Sequence, residues 1–417
     1  MIYVCDSIMG SGKSQSAIQY MNNHSDKKFI YVTPYLEEIS RIIDGCSALK
    51  FVEPSEKIPE YGFAKLKHTA ALIKQGRNIA STHQALRMYT KEMLEDVQNQ
   101  GYTLIMDENI GFLAESNLHP DDIDILKACG WLKENENGEY EYCELQYRGA
   151  LLRRDLLPNI LDDVKGLLIS NPKLEKGIKC YWKLSKKIFT SFSDVFVLTY
   201  LFDGQDISYM FKMYDLEYRK IGIEKTGDGE YRFSENGSYI PEYVKSLKEK
   251  IHICSNLRMN AVGDERFSLS RAWFNKEEKQ DDIRQLRCNI SNYFRNIMKE
   301  SSPATRLWAT YKFAKKKICG LGYTTCYTAW NLKATNDYRN KKYLVYAANI
   351  YMNCSQKIYF KKNNIEPDED LFALSSMIQW VWRSAIRDGE DIYIYIPSRR
   401  MRELLTQWID EVSSMTN

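Results

Sequence analysis

Histidine is scarce, with 5 in 417 residues. That leaves little material for a histidine-based metal centre or a Ser-His-Asp triad. Ten cysteines are scattered without a single C-x-x-C pair. They read neither as a zinc site nor as a disulfide framework, and they suit a reducing compartment. No apolar run reaches the roughly 18 residues that a membrane-spanning helix needs. The first apolar run begins at Ile2, so no leader peptide is expected, and the expected location is the cytoplasm. Charge of one sign is also lacking: Lys plus Arg is 58, Asp plus Glu is 55, and the net is +3. A polyanionic partner would therefore be held by a local basic groove rather than by a basic chain. What the sequence does have is 44% hydrophobic residues and 29 tyrosines. This is globular composition at a length that predicts two or three domains.

The opening residues carry the most specific signal. Ile2-Tyr3-Val4-Cys5 is a short apolar, β-branched run, expected to be a buried strand. Ser7-Ile8-Met9-Gly10-Ser11-Gly12-Lys13-Ser14 follows, and residues 15–22 have helical spacing. A strand, a glycine turn and a helix in this order are the setting of a phosphate-binding loop. Gly10 and Gly12 let the backbone approach an anion without an intervening Cβ. Ser7, Ser11 and the helix N-terminus then direct N–H groups at the phosphates. Lys13 is expected to reach the β- and γ-phosphates, and the Ser14 hydroxyl to bind Mg²⁺.

Triphosphate hydrolysis also needs one carboxylate for Mg²⁺ and another to activate water. Leu104-Ile105-Met106-Asp107-Glu108 supplies both at the end of an apolar run. Strand C-termini line the ligand crevice of open α/β sheets. Asp107 is expected beside Mg²⁺, with Glu108 accepting the proton of the attacking water.

Near the C-terminus, Gln379, Arg383 and Arg387 recur every four residues within an expected helix over 371–387. That spacing drifts by only about 40° per step, so the three are expected on one helix face. Either arginine could stabilise charge on a transferred phosphoryl group. The basic runs Lys315-Lys316-Lys317 and Arg399-Arg400-Met401-Arg402 are read as solvated helix faces, and His83 as a helix-start residue without chemistry.

Between these markers, strands are expected at 29–33, 78–82, 103–106 and 195–200, alternating with helices at 35–43, 64–75 and 83–98. This predicts a parallel α/β sheet. Residues 111–190 lose the pattern and read as an insertion, with a surface hairpin or loop at 135–142. The glycine-rich stretch 225–238 reads as a linker, which divides the chain into 1–224 and 225–417. Further strands are expected at 307–311, 323–329, 343–347 and 392–396.

Together these residues resemble a superfamily 2 helicase of the compact DExx-box kind encoded by phages and prophages. Ser7–Ser14 resembles motif I, Tyr31-Val32-Thr33-Pro34 motif Ia, and Ser81-Thr82-His83 the next nucleic-acid-contacting motif. Asp107-Glu108-Asn109-Ile110 resembles motif II, and Leu198-Thr199-Tyr200 stands where motif III would. Thr310 to Lys312 resembles motif IV, Ala334-Thr335-Asn336 motif V, and Gln379, Arg383 and Arg387 motif VI. The second arginine comes one residue later than is usual, which leaves both as candidates for the finger. The resemblance implies two RecA-like P-loop lobes with parallel sheets flanked by helices, and ATP and Mg²⁺ as cofactors. It further implies hydrolysis coupled to movement on single-stranded DNA or RNA, held through Thr33, Thr82, Thr310 and Thr335, with Thr199 in coupling. Phage DNA replication or recombination is the implied setting, with proteins of those processes as partners. An alternative is a P-loop ATPase switch that remodels a protein partner without unwinding, prompted by the weakened motif III, which lacks its second Thr, and by the long insertion at 111–190.

Overall fold

Apolar runs flanked by turn residues form strands buried on both faces, the pattern of a parallel sheet covered by helices. The computed structural model describes the chain except residues 63, 112, 116–123, 126, 131, 135–138, 143–164, 170–179, 300, 332–337 and 415–417. By its contacts the chain divides into two units. The first holds Met1–Asp6, Lys13–Gly237 and Cys354–Pro367; the second holds Ser7–Gly12, Ser238–Asn353 and Asp368–Asn417.

The first unit is built on β1 (Ile2–Asp6), β2 (Lys28–Thr33), β3 (Ile79–Thr82) and β4 (Tyr102–Asp107). An antiparallel five-stranded sheet follows, formed by β5 (Leu113–Glu115), β6 (Leu132–Glu134), β7 (Glu139–Tyr142), β8 (Lys165–Ile169) and β9 (Cys180–Leu184). These strands fall within the stretch read as an insertion, and β6 pairs antiparallel with β7. The main sheet resumes with β10 (Asp194–Thr199), β11 (Tyr218–Lys225) and β12 (Tyr231–Ser234). Its order is β12-β11-β1-β10-β4-β2-β3, parallel except for β12. One strand, β10, thus lies between the glycine-loop strand β1 and the Asp-Glu strand β4, the RecA-like arrangement. The register sets Asp6 against Thr199 and Leu198 against Asp107. The three strand ends therefore share one edge.

Helices α1 (Lys13–Asn23), α2 (Leu36–Gly45), α3 (Lys65–Lys74), α4 (His83–Arg87), α5 (Lys91–Gln100) and α6 (Asp206–Met213) flank this sheet. The single helix expected over 83–98 is two, because the Thr90 side chain accepts from Met93 N–H and starts a new helix. Such a cap stabilises a helix start by about 1 kcal/mol. The expected linker at 225–238 is instead largely the β11–β12 hairpin. Its turn runs through Gly229 at φ +82°, and the division between the units falls after Gly237.

The second unit has a wholly parallel five-stranded sheet of β13 (Ile251–Ile253), β14 (Arg306–Thr310), β15 (Tyr327–Ala329), β16 (Tyr343–Tyr346) and β17 (Ile392–Tyr395). The order is β13-β17-β16-β14-β15. Around it lie α7 (Gln280–Asn292), α9 (Glu369–Val381) and α10 (Arg399–Ser413); α8 (Cys354–Lys362), between α7 and α9 in the chain, groups with the first unit. Many of the tyrosines serve as core here. Tyr323 and Tyr395 are buried among Phe294, Trp308 and Tyr293. Their hydroxyls reach the carbonyls of Ile318 and Met259, each at 2.7 Å. A buried phenol that finds an acceptor keeps its apolar gain without an orphaned O–H.

Candidate nucleotide site

The glycine turn leaves β1 and enters α1 with Gly10 at φ +79° and Gly12 at φ +95°. Both angles favour glycine, as the sequence requires. Ser11 is buried, and its N–H donates to Ile8 O at 3.2 Å. Ser14, in the first turn of α1, donates its hydroxyl to Asp107 Oδ2 at 3.5 Å. The two residues expected to hold Mg²⁺ are thus neighbours across 93 residues of chain.

Asp107 is buried at the end of β4. Burial, reinforced by the charges of Glu108 and Glu38, pushes its carboxyl up to about 7; Lys13 and a hydrogen bond from Tyr31 pull the other way. Tyr31, wholly buried on β2, donates to the same Oδ2 at 3.1 Å. A carboxylate desolvated to this degree is stabilised by a cation. Among the described residues no cluster of three His, Cys, Asp or Glu is poised for a metal. Mg²⁺ does not need one, since it commonly takes one or two carboxylates and completes its shell with water and phosphate oxygens. The hard oxygens of Ser14 and Asp107 therefore fit Mg²⁺.

Glu108 sits at φ +67°, a left-handed conformation uncommon for a non-glycine residue. Its N–H donates to Leu198 O at 2.8 Å, which anchors it to β10. The turn beyond it is held from two sides. Arg87, at the end of α4, donates to the carbonyls of Ile110 and Gly111. Asn109 Nδ2 donates to Asp206 Oδ1 at 2.7 Å, at the start of α6, and Asn109 Oδ1 accepts from Gly111 N–H at 2.8 Å. His83 Nε2 lies 2.8 Å from Asp107 O. Backbone strain held by surrounding contacts is a feature of functional sites. Arg87 and Asp206 carried no sequence signal, and His83 was read only as a helix-start residue within a motif, because each acts through a backbone or side chain brought near only by the sheet.

Thr199, at the end of β10, is buried and exchanges hydrogen bonds with Gln205 at 2.8 and 3.0 Å. Thr33, Thr82 and Thr310 end β2, β3 and β14. Thr33 accepts from Tyr35 N–H at 3.2 Å, Thr82 caps α4, and the buried Thr310 hydroxyl donates to Ala347 O at 2.8 Å. Thr335 lies outside the described residues.

The helix expected over 371–387 ends at Val381. Residues 382–384 turn, and Ala385–Asp388 form a short 3-10 helix closed by Gly389 at φ +76°. Gln379, Arg383 and Arg387 consequently do not share one helix face. Gln379 and Arg383 are half-buried and Arg387 is exposed. Trp382 and Ile386, on either side of the break, are both buried. Glycine-turn residues Ser7–Gly12 belong by contact to this same unit. Tyr243 donates to Met9 O at 2.7 Å, and a Cβ on Gly10 would clash with its hydroxyl. Burial raises the Tyr243 phenol, against smaller opposing effects of the neighbouring Trp382 and the charge of Arg387.

The second basic run is not a solvated face throughout. Arg400 donates to Ile350 O at 2.7 Å and Glu369 O at 2.8 Å and pairs with Asp370. Arg402 donates to Ile396 O at 2.8 Å. No helix among the described residues is long and apolar enough to cross a membrane.

Comparison with known proteins places this chain. The family described as the YonV C-terminal Rossmann-like domain matches residues 245–409. The SPbeta prophage-derived uncharacterized protein YonV of Bacillus subtilis (strain 168) is 37% identical over 417 residues, 98% of this chain and 98% of that protein. The chain belongs to the YonV family. Its match in the family's Rossmann-like domain spans β13 to β17 and most of α10. Among solved structures, an apo XPD is similar with a TM-score of 0.48 at 10% identity, over 99% of this chain and 95% of that one. S. tokodaii Xpd4 follows at a TM-score of 0.47 and 13% identity, over 98% and 94%.

Proposed function

We propose that this YonV-family protein is an ATP-driven helicase or translocase that couples hydrolysis to movement on single-stranded DNA or RNA. The setting would be phage DNA replication or recombination in the host cytoplasm. One observation carries the reading: the Ser14 hydroxyl at the head of α1 is hydrogen-bonded to the buried Asp107 at the end of β4, with Glu108 next in the chain. A glycine turn of suitable conformation precedes Ser14.

In this reading the turn's N–H groups and Lys13 bind the β- and γ-phosphates. Ser14 and Asp107 hold Mg²⁺, which neutralises charge on the triphosphate. Glu108, fixed by its bond to Leu198 O, accepts the proton of the attacking water. Arg383 and Arg387 are the two candidates for the cation that stabilises charge on the transferred phosphoryl group. Thr33, Thr82, Thr310 and Thr335 contribute strand-end contacts to nucleic-acid phosphates, and Thr199 with Gln205 carries coupling.

The test is ATP hydrolysis measured with and without single-stranded DNA and RNA, followed by strand displacement on tailed duplexes. Lys13→Ala is expected to lose nucleotide binding. Glu108→Gln is expected to keep binding and lose turnover by about two orders of magnitude or more. Parental turnover in Glu108→Gln would remove the base assignment. Stimulation without displacement would define a translocase, and stimulation by neither polymer would favour the remodelling switch.

A further inference from the structure

We infer that the second unit carries a base-stacking platform for single-stranded nucleic acid, formed by the loop 264–271 and the residues that follow β14. The inference rests on the motor reading above and, apart from Tyr311, uses residues outside the sequence motifs.

Phe267 is 59% exposed and Phe313 is 38% exposed, although phenylalanine is among the side chains most often buried. Neither ring hangs from a loose segment. Beneath Phe267, the wholly buried Asn349 donates Nδ2 to Arg266 O at 2.9 Å and to Ser268 O at 3.0 Å. Asn349 N–H donates to Leu269 O at 3.0 Å, and Tyr351 Oη to Arg266 O at 2.8 Å. Leu269 is held at φ +61°, a conformation that costs energy for a leucine. The loop is thus fixed in an unfavourable backbone shape that leaves Phe267 facing water.

The exposed rings continue an aromatic row. Phe267 lies 5.6 Å from the Tyr351 ring, and Phe313 is stacked on Tyr311 at 5.6 Å and 26°. Tyr311 Oη donates to Asn349 O at 2.7 Å and so joins the two halves. Cations accompany the rings: Arg266 stands 5.4 Å from the Phe267 centroid, and Arg271 stands 5.7 Å from that of Phe313. Both arginines are exposed. The adjacent carboxylates are engaged elsewhere, Asp264 with Arg399 at 3.3 Å and Glu265 with Lys279 at 3.2 Å. The patch therefore keeps its positive charge.

Exposed aromatic faces interleaved with arginines suit a strand with unstacked bases and a phosphate backbone. A duplex hides its base faces, and a protein partner would not require paired cations at both rings. The patch also lies beyond Thr310, at the C-terminal end of β14, on the edge where open α/β sheets bind ligands.

The experiment compares a labelled oligothymidylate, an abasic oligonucleotide of equal length and a blunt duplex, by fluorescence anisotropy on the full chain. Phe267→Ala and Phe313→Ala are each expected to weaken oligothymidylate binding by roughly five- to a hundredfold and to leave abasic binding unchanged. Phe267→Trp is expected to restore affinity. Arg266→Ala and Arg271→Ala are expected to weaken both single strands and to flatten the salt dependence by about one counterion each. If the parental chain binds oligothymidylate and the Phe267→Ala/Phe313→Ala double variant binds it equally well, the platform is wrong while the motor reading stands. Equal losses on oligothymidylate and abasic strand would also overturn stacking. If the parental chain binds no single strand with or without ATP, both readings fail.

Discussion

Asp107 concentrates the electrostatics of the nucleotide site. Glu108, Glu38, Lys13 and Tyr31 all act on its carboxyl, and burial dominates, raising it from 3.8 to about 7. The folded chain therefore holds this proton more tightly than the unfolded chain. The resulting stabilisation is complete below pH 3.8 and is lost as pH rises through about 7. Above that pH the buried carboxylate is a cost of a few kcal/mol, which a divalent cation offsets. Without divalent cation, Asp107→Asn is expected to melt above the parental chain at pH 8, by a margin that is clearly smaller at pH 5. Added Mg²⁺ should raise the parental melting temperature and leave that of Asp107→Asn unchanged. Equal melting of the two at both pH values would show that desolvation of Asp107 is not a stability term.

At the scale of elements, the turn after β4 is where strand, helix and loop are tied together. Arg87 from α4 and Asp206 from α6 hold the residues that follow Glu108. We expect Asn109→Ala and Asp206→Ala each to lower turnover about tenfold with little effect on nucleotide affinity. The double variant should lose less than the two single losses combined, because the Asn109–Asp206 bond is common to both. Additive losses in turnover would separate the two residues. These ties were not legible in the sequence. The strand, the glycine turn and the Asp-Glu end could be read from local composition, because apolar runs, glycine and acidic residues act through their own backbone. Arg87 and Asp206 are 119 residues apart in number, and only the order β10-β4-β2-β3 makes them neighbours of one turn. The helix over 371–387 failed for a related reason. Its spacing suited an unbroken helix, but the chain turns at 382–384 and resumes as the short 3-10 helix Ala385–Asp388, which side-chain periodicity does not reveal.

For the whole molecule, the two units are interleaved rather than sequential. Cys354–Pro367 returns to the first unit. There Phe360 of α8 is fully buried, its ring 5.3 Å from Tyr209 of α6. A fragment ending at Gly237 lacks this cover and would expose Tyr209, which is 1% accessible in the whole chain. We expect that fragment to bind a hydrophobic dye and to unfold at lower denaturant than the full chain, and a peptide of residues 354–367 added in trans to reverse part of the effect. A fragment that matches the full chain without the peptide would mean that α8 adds nothing to the first unit.

The sequence by itself determined the elements whose signals are local. These are the phosphate-loop turn, where only glycine tolerates the backbone, the buried strands, where apolar runs have no other place to go, and the acidic strand end. Tertiary structure alone decided which distant side chains meet at Asp107 and Glu108, where the Gln379 helix breaks, and which of 29 tyrosines and 16 phenylalanines face water. The physical reason is the same in each case. Backbone preference is set by neighbours in the chain, whereas burial and partnership are set by neighbours in space.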